Sequence, residues 1–328
     1  VTQRERAAVV RSTDMVIDRE ILEAHHAFVT GDNAWQQRAR LTQALWRERQ
    51  GLAAGLHRDV PLGSRLTPGD GEPPTLANYI SDPAKRQVEA AVAKKNGALL
   101  SQPRLWVDLL SSQPLCFNLF GPLAEDLDLA TATLRLLWPH IGQVTEIKFE
   151  WSPGRGDERY TGNHSAFDVF VAYQNGTSRG FLGIEVKYHE NLRGTAATDP
   201  KQRYPKIAAK HRIFRDGALP DLQRLPLQQL WLDHLLALQL LASPDDGWDE
   251  GTFVFLSPTG NVACTTAARR YSHALTDSTT FDARTLDELV QAIRLVADDP
   301  WADAVYERYL DPRPVSRALH RDPARHLR

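Results

Sequence analysis

Apolar residues recur at every second position over 144–151, where Ile147, Phe149 and Trp151 alternate with Glu146, Lys148 and Glu150. That period marks a strand with one buried face. Residues 166–173 (AFDVFVAY) and 181–188 (FLGIEVKY) are rich in aromatic and β-branched types, and Gln174-Asn175-Gly176-Thr177-Ser178 between them has the composition of a turn. The spacing predicts three strands, the last two joined as a hairpin.

Helical periodicity surrounds this block. A helix is predicted over 34–50, with Trp35, Leu41, Leu45 and Trp46 on one broad face and Asp32 or Asn33 as its cap. A further pattern lies around 15–28. Residues 51–75 carry Pro61, Pro68, Pro73 and Pro74 and read as a long connection or arm. Asp82-Pro83 opens a helix to about residue 95. Short apolar segments at 105–110 and 115–120 flank a Ser-Ser-Gln-Pro break. A helix is expected over 123–138, and residues 225–241 form the most apolar helical pattern in the chain. Its polar exceptions, Gln228, Gln229 and His234, are expected to cap or to sit at an edge. Residues 251–257 read as a final core strand, 272–281 as irregular, and 286–297 and 301–309 as helices.

The hydrophobic strands carry charges that a plain core would not choose. Asp168 interrupts the second, and Glu185 and Lys187 the third. Residues two apart in a strand share a face, so Glu185 and Lys187 point together, with Gly183 beside them, while Ile184 and Val186 point away. Charges buried in a sheet are costly unless paired or bound to metal. Two converging carboxylates repel, a divalent cation relieves that repulsion, and oxygen ligands suit Mg²⁺ or Mn²⁺. Glu150 is a candidate third carboxylate, with a salt bridge to Arg155 as the equal alternative. Glu125 is a further candidate, weighed against a first-turn interaction with a helix dipole.

Asp168, a spacer and Glu185-Val186-Lys187 resemble the motif of the PD-(D/E)xK nuclease superfamily. The surrounding text, SPGRGDERYTGN, GIEVKYHE, PLGSRL and SQPLCFNLFGPL, is similar to a bacterial restriction-endonuclease-like subgroup, and Phe167 stands where the motif carries Pro. The resemblance implies an α/β (α+β) fold with a restriction-endonuclease-like core. Its central mixed sheet is flanked by helices and follows the order helix, three antiparallel strands, helix, further strand. It implies that Asp168, Glu185 and the Val186 carbonyl bind Mg²⁺ or Mn²⁺, and that Lys187 positions or activates the attacking water. The expected activity is metal-dependent hydrolysis of phosphodiester bonds in DNA, in defence or repair. The alternative is a catalytically silent PD-(D/E)xK-fold module that binds nucleic acid or protein.

Composition changes this picture little. The 328 residues carry a formal net charge of −2, with 42% hydrophobic and 24% charged residues, ordinary values for a globular protein. A basic lane is therefore sought locally rather than in the total. Arg155, Arg159 and Tyr160 in the Gly-rich loop 152–163 are candidates for phosphate and base contact, against a plain surface loop. Lys206 and Lys210 in the basic stretch 201–215 are candidates against a solvated helix face. Cys116 and Cys264 lie far apart in apolar surroundings and are expected to be reduced. No apolar run approaches the ~20 residues of a membrane span, and no secretory pattern stands out, so a cytoplasmic location is expected. DNA is the expected partner, RNA the other polynucleotide considered, and a homodimer is compatible. The expected organisation is a helical N-terminal extension and arm over 1–75, a nuclease-like domain over 76–312 and a basic tail over 313–328.

Overall fold

The computed structural model describes residues 16–71, 75–94, 100, 102–194 and 202–320. The expected pattern at 15–28 contracts to α1 (Arg19–Ala24). The next helix, α2 (Ala34–Arg49), starts at Asn33, whose side chain accepts from Gln36 N while the Gln36 side chain accepts from Asn33 N. This reciprocal cap satisfies two otherwise orphaned donors. The stretch read as an arm instead forms a hairpin, β1 (Ala54–His57) and β2 (Val60–Leu66). Its turn residues Arg58 and Asp59 have φ of 49° and 64°. Both are left-handed, as a two-residue hairpin turn requires, yet neither is the Asn or Gly that would have announced it.

Helices α3 (Asp82–Lys94), α4 (Gln102–Val107), α5 (Ser112–Glu125) and α6 (Leu127–Arg135) follow. The helix expected over 123–138 is thus two helices, and the apolar segment at 115–120 belongs to α5, with Gly121 and Pro122 inside it. Two contacts explain how those residues are tolerated. A Cβ at Gly121 would lie 2.7 Å from Ala84 Cα, so α3 and α5 pack at backbone distance. Pro122 cannot donate to the Asn118 carbonyl one turn back, and that carbonyl accepts from Trp301 Nε1 at 2.7 Å instead.

The central sheet has the order β3-β4-β5-β6-β7. Strands β3 (Gln143–Trp151), β4 (Phe167–Asn175) and β5 (Ser178–Val186) form an antiparallel meander. Helices α7 (Arg203–His211), α8 (Leu219–Leu222) and α9 (Gln228–Leu241) lead to β6 (Glu250–Ser257), parallel to β5. The sheet does not end there. Helix α10 (Val262–His273) crosses to β7 (Phe281–Thr285), parallel to β6 and starting where the stretch expected to be irregular, 272–281, ends. Helices α11 (Leu286–Val296), α12 (Pro300–Tyr309) and α13 (Arg313–His320) complete the described chain.

Each sheet face has its own core. Val169, Val171, Leu182, Ile184, Val186, Val254 and Leu256 pack with residues of α5, α6, α11 and α12. Phe170, Ala172, Phe181, Phe253 and Phe255 pack with α7, α9 and α10. The resulting order, helices, three antiparallel strands, helix and a further strand, is the one expected from the resemblance. Residues 34–49 and 313–320 also join the folded body. Trp35 Nε1 donates to Tyr188 O at 2.8 Å, and Val315 is buried with Leu22, Leu41 and Ala44. Residues 1–15 and 321–328 lie outside the described residues, as does Lys201. Among the described residues no helix is long and apolar enough to cross a membrane.

Candidate active site

The register that sets Val169 opposite Ile184 places Asp168 across from Glu185. Lys187 follows directly, its N–H bonding to Leu256 O at 2.8 Å as β5 ends beside β6. All three side chains gather on the face covered by α9. Lys187 Nζ lies 2.5 Å from Glu185 Oε1. Asp168 Oδ2 accepts from Val186 N at 2.8 Å, which fixes that carboxylate against the next strand. Glu185 and Lys187 are only 5% and 8% exposed, so this is a buried charge cluster rather than a surface ion pair.

Glu150 joins them through a break in β3. Phe149 faces Val169 and Trp151 faces Phe167, which sets Glu150 opposite Asp168. Its φ of 48° interrupts the strand's alternation. Phe149 therefore stacks on Phe117 on one side of the sheet while Trp151 lies against Phe170 on the other. The expectation that Ile147, Phe149 and Trp151 share one face fails at that residue. Glu150 Oε1 accepts from Gln113 Nε2 at 2.7 Å, and Arg155 Nη2 stands 3.8 Å from Oε2. The Phe167 ring, in the position before Asp168, fills the space above Gly183, 2.6 Å from where a Cβ would sit.

Three contributors escaped sequence reasoning. Gln229 was expected to be structural, yet its Nε2 donates to Glu185 Oε1 at 2.5 Å. Asp233, one turn further along α9, is buried, and its Oδ2 has no hydrogen-bond partner among the described residues. Glu190, three residues past Lys187, accepts from Ser112 Oγ at 3.1 Å and from Tyr188 N at 2.8 Å. The available signal was the i, i+4 pair of polar residues on the most apolar helix, since residues so spaced share a face.

Crowded carboxylates leave an electrostatic signature. Burial, then the neighbouring Glu185, pushes Asp168 well above the ordinary carboxylate range. The same two causes raise Asp233. Burial also raises Glu150, against the Gln113 hydrogen bond and with Glu185 adding to the rise. Burial alone would lower Lys187, but Glu185, Glu190 and Asp168 together hold it above the usual lysine value. Glu190 moves the other way, because Lys187 and backbone N–H groups outweigh its burial.

The donor set is all oxygen, it is short of positive charge, and it includes an orphaned buried carboxylate oxygen. That chemistry fits a hard divalent cation. Asp168 and Glu185 are the carboxylates that could hold one, with Glu150 opposite Asp168. Among the described residues no three His, Cys, Asp or Glu side chains are already drawn into a metal-binding group, and Lys187 occupies one Glu185 oxygen.

Several expected contacts do not form. Glu125 ends α5 and is paired with Arg86, at 3.0 Å and 2.5 Å, so it neither joins the carboxylates nor sits in a first turn. Tyr160 is not free to stack on a base: its ring is buried in the core and its hydroxyl donates to Asp246 at 2.7 Å. Arg155 is engaged by the carbonyls of His164 and Glu150 at 2.9 Å and 2.8 Å, and it holds the loop 152–163 closed. Arg159 is exposed but paired with Asp157. Lys206 and Lys210 are exposed on α7. Cys116 and Cys264 are buried and reduced. His234, pulled down to about 3 by burial, is a neutral imidazole between Tyr271 and Thr280.

A family model described as the PD-(D/E)XK nuclease superfamily matches residues 30–311. No curated protein and no solved structure matches the chain. The match spans well over half of the 328 residues and includes Glu150, Asp168, Glu185, Lys187, Glu190 and Asp233. The chain belongs to the PD-(D/E)XK nuclease superfamily.

Proposed function

We propose that this chain is a metal-dependent nuclease that hydrolyses phosphodiester bonds in DNA. The observation that carries this reading is the convergence of Asp168, Glu185 and Lys187 on one buried face, with Lys187 Nζ 2.5 Å from Glu185 Oε1. A core salt-bridge cluster has no need of five neighbouring acids, Glu150, Asp168, Glu185, Glu190 and Asp233, for one lysine.

Asp168 and Glu185 would hold Mg²⁺ or Mn²⁺, with the Val186 carbonyl and Glu150 completing the protein's share. When bound, such a cation polarises a phosphate and lowers the pKa of a water. The Val186 N–H orients Asp168, and Gln229 orients Glu185. Lys187 remains protonated, paired with Glu185. Its ammonium would orient the attacking water by donating a hydrogen bond and would stabilise negative charge growing on the phosphate. The exposed Lys206 and Lys210 offer a backbone-phosphate contact that needs no base readout.

The test is cleavage of a supercoiled plasmid in Mg²⁺, in Mn²⁺ and in EDTA, with Glu185→Ala as control. Nicking that needs the cation and Glu185 is expected. A chain that binds the plasmid and leaves it intact with either ion would instead be a silent binding module, the reading favoured by Lys187 already occupying Glu185.

A further inference from the structure

A cleft of about 290 Å³ opens beside Glu190. Its walls come from α2, the β1–β2 hairpin, α4 and residues 189–190, and the start of α5 at Ser111 closes one side. Glu190 links it to the candidate active site: it lies three residues past Lys187 and accepts from Tyr188 N at 2.8 Å.

The charges lining this cleft are not equally committed. Arg40 is fully engaged, with Asp32 at 2.7 Å, Ser64 at 2.9 Å and His189 at 3.3 Å. The acids face protein donors: Asp108 Oδ1 accepts from Leu110 N at 3.0 Å, and Glu190 from Ser112 and Tyr188. Arg65 and Arg104 differ. Both line the cleft, and among the described residues neither guanidinium has a hydrogen bond or an ion pair. The α5 N-terminus adds its partial positive charge. Two free guanidinium forks over a small cleft match the oxygens of one phosphate.

We infer that this cleft seats a phosphate group of the substrate strand. The identity of that strand rests on the nuclease reading. The phosphate chemistry rests on the arginines.

The experiment follows binding of a duplex oligonucleotide to the full chain, in EDTA, across a salt series. Losing one phosphate contact flattens log affinity against log salt by about 0.9. Arg65→Ala/Arg104→Ala is expected to show that change and weaker binding, and Arg65→Lys/Arg104→Lys to keep the parental slope. Arg104 is exposed, so Arg104→Ala alone gives the reading if the alanine pair does not fold. A parental slope in the alanine variants overturns the inference, as does a parent that binds no duplex. Calorimetry with inorganic phosphate separates the sources. If the alanine pair loses phosphate binding but keeps the duplex slope, the seat serves free phosphate and the strand assignment is wrong. Because these readouts need no cleavage, a slope change without plasmid nicking in Mg²⁺ would sink the hydrolase reading and leave the seat standing.

Discussion

Gln229 donates to Glu185 Oε1 at 2.5 Å, the same oxygen that Lys187 reaches from the other end of its own strand segment. One oxygen thus takes two donors, one from the sheet and one from α9, and the orientation of Glu185 depends on both. Groups that orient a metal-binding side chain are typically worth about 10–100-fold in affinity or activity. Gln229→Leu is therefore expected to lower Mn²⁺ affinity and cleavage together, within that range. Calorimetry and a single-turnover assay would check it, and parental values for both would return Gln229 to a structural role.

Glu185→Ala removes the acid that both donors share. Mn²⁺ binding is expected to vanish while the thermal transition persists, since relief of acid–acid repulsion offsets the lost contacts. Glu190 and Asp168 still favour the charged form of Lys187. Unchanged Mn²⁺ heats in the variant would rule Glu185 out as a ligand.

Asp168 sets a pH dependence. Its folded-state carboxyl is raised by burial and by Glu185, so the folded chain binds that proton more tightly than the unfolded chain does. The stability this contributes is present below the ordinary carboxylate pKa of about 3.9 and is lost as pH rises through the raised value. In EDTA, Asp168→Asn should melt higher than the parent at pH 8, by about 2–4 °C for each kcal/mol relieved. The difference should close near pH 3, as a pair of melting series would show. A variant that melts lower at pH 8 would mean that Asp168 is net stabilising as an anion.

Lys206→Ala/Lys210→Ala tests the α7 lane. Two lost phosphate contacts should flatten the salt dependence of duplex binding by about 1.8 and weaken binding alike on unrelated sequences. An unchanged slope would make this helix face merely solvated.

The parts of this fold that were legible in the sequence are those set by local pattern. Strands β3, β4 and β5 declare themselves through β-branched and aromatic residues, and α9 through its apolar run. Asp168, Glu185 and Lys187 were legible because charge inside such strands is conspicuous. What stayed hidden depends on distant partners. Pro122 looks like a helix end until Trp301 supplies the missing donor. The Arg58-Asp59 turn carries no Gly. The buried Arg40 and Arg47 of α2 look like solvent-facing residues until Asp32, Ser64 and Gly63 surround them. Gln229 and Asp233 read as blemishes on an apolar helix because nothing local says which face meets Glu185. Tyr160 was misplaced for the opposite reason, since a Gly-rich loop suggests exposure and Asp246 draws the ring inward.

Helix α2 precedes in the chain the partners that secure it. Trp35 waits for Tyr188, 153 residues further on, and Gln43 for the Arg308 carbonyl, 265 residues on. The strap that braces the segment after Lys187 is therefore incomplete while the chain is still emerging from the ribosome. On the proposed nuclease reading, a nascent chain held in this state would leave the nucleic acids around it intact until α12 has formed. Ribosome-held chains ending before residue 300 should accordingly show protease cleavage within 34–49, and chains that include α12 should resist it.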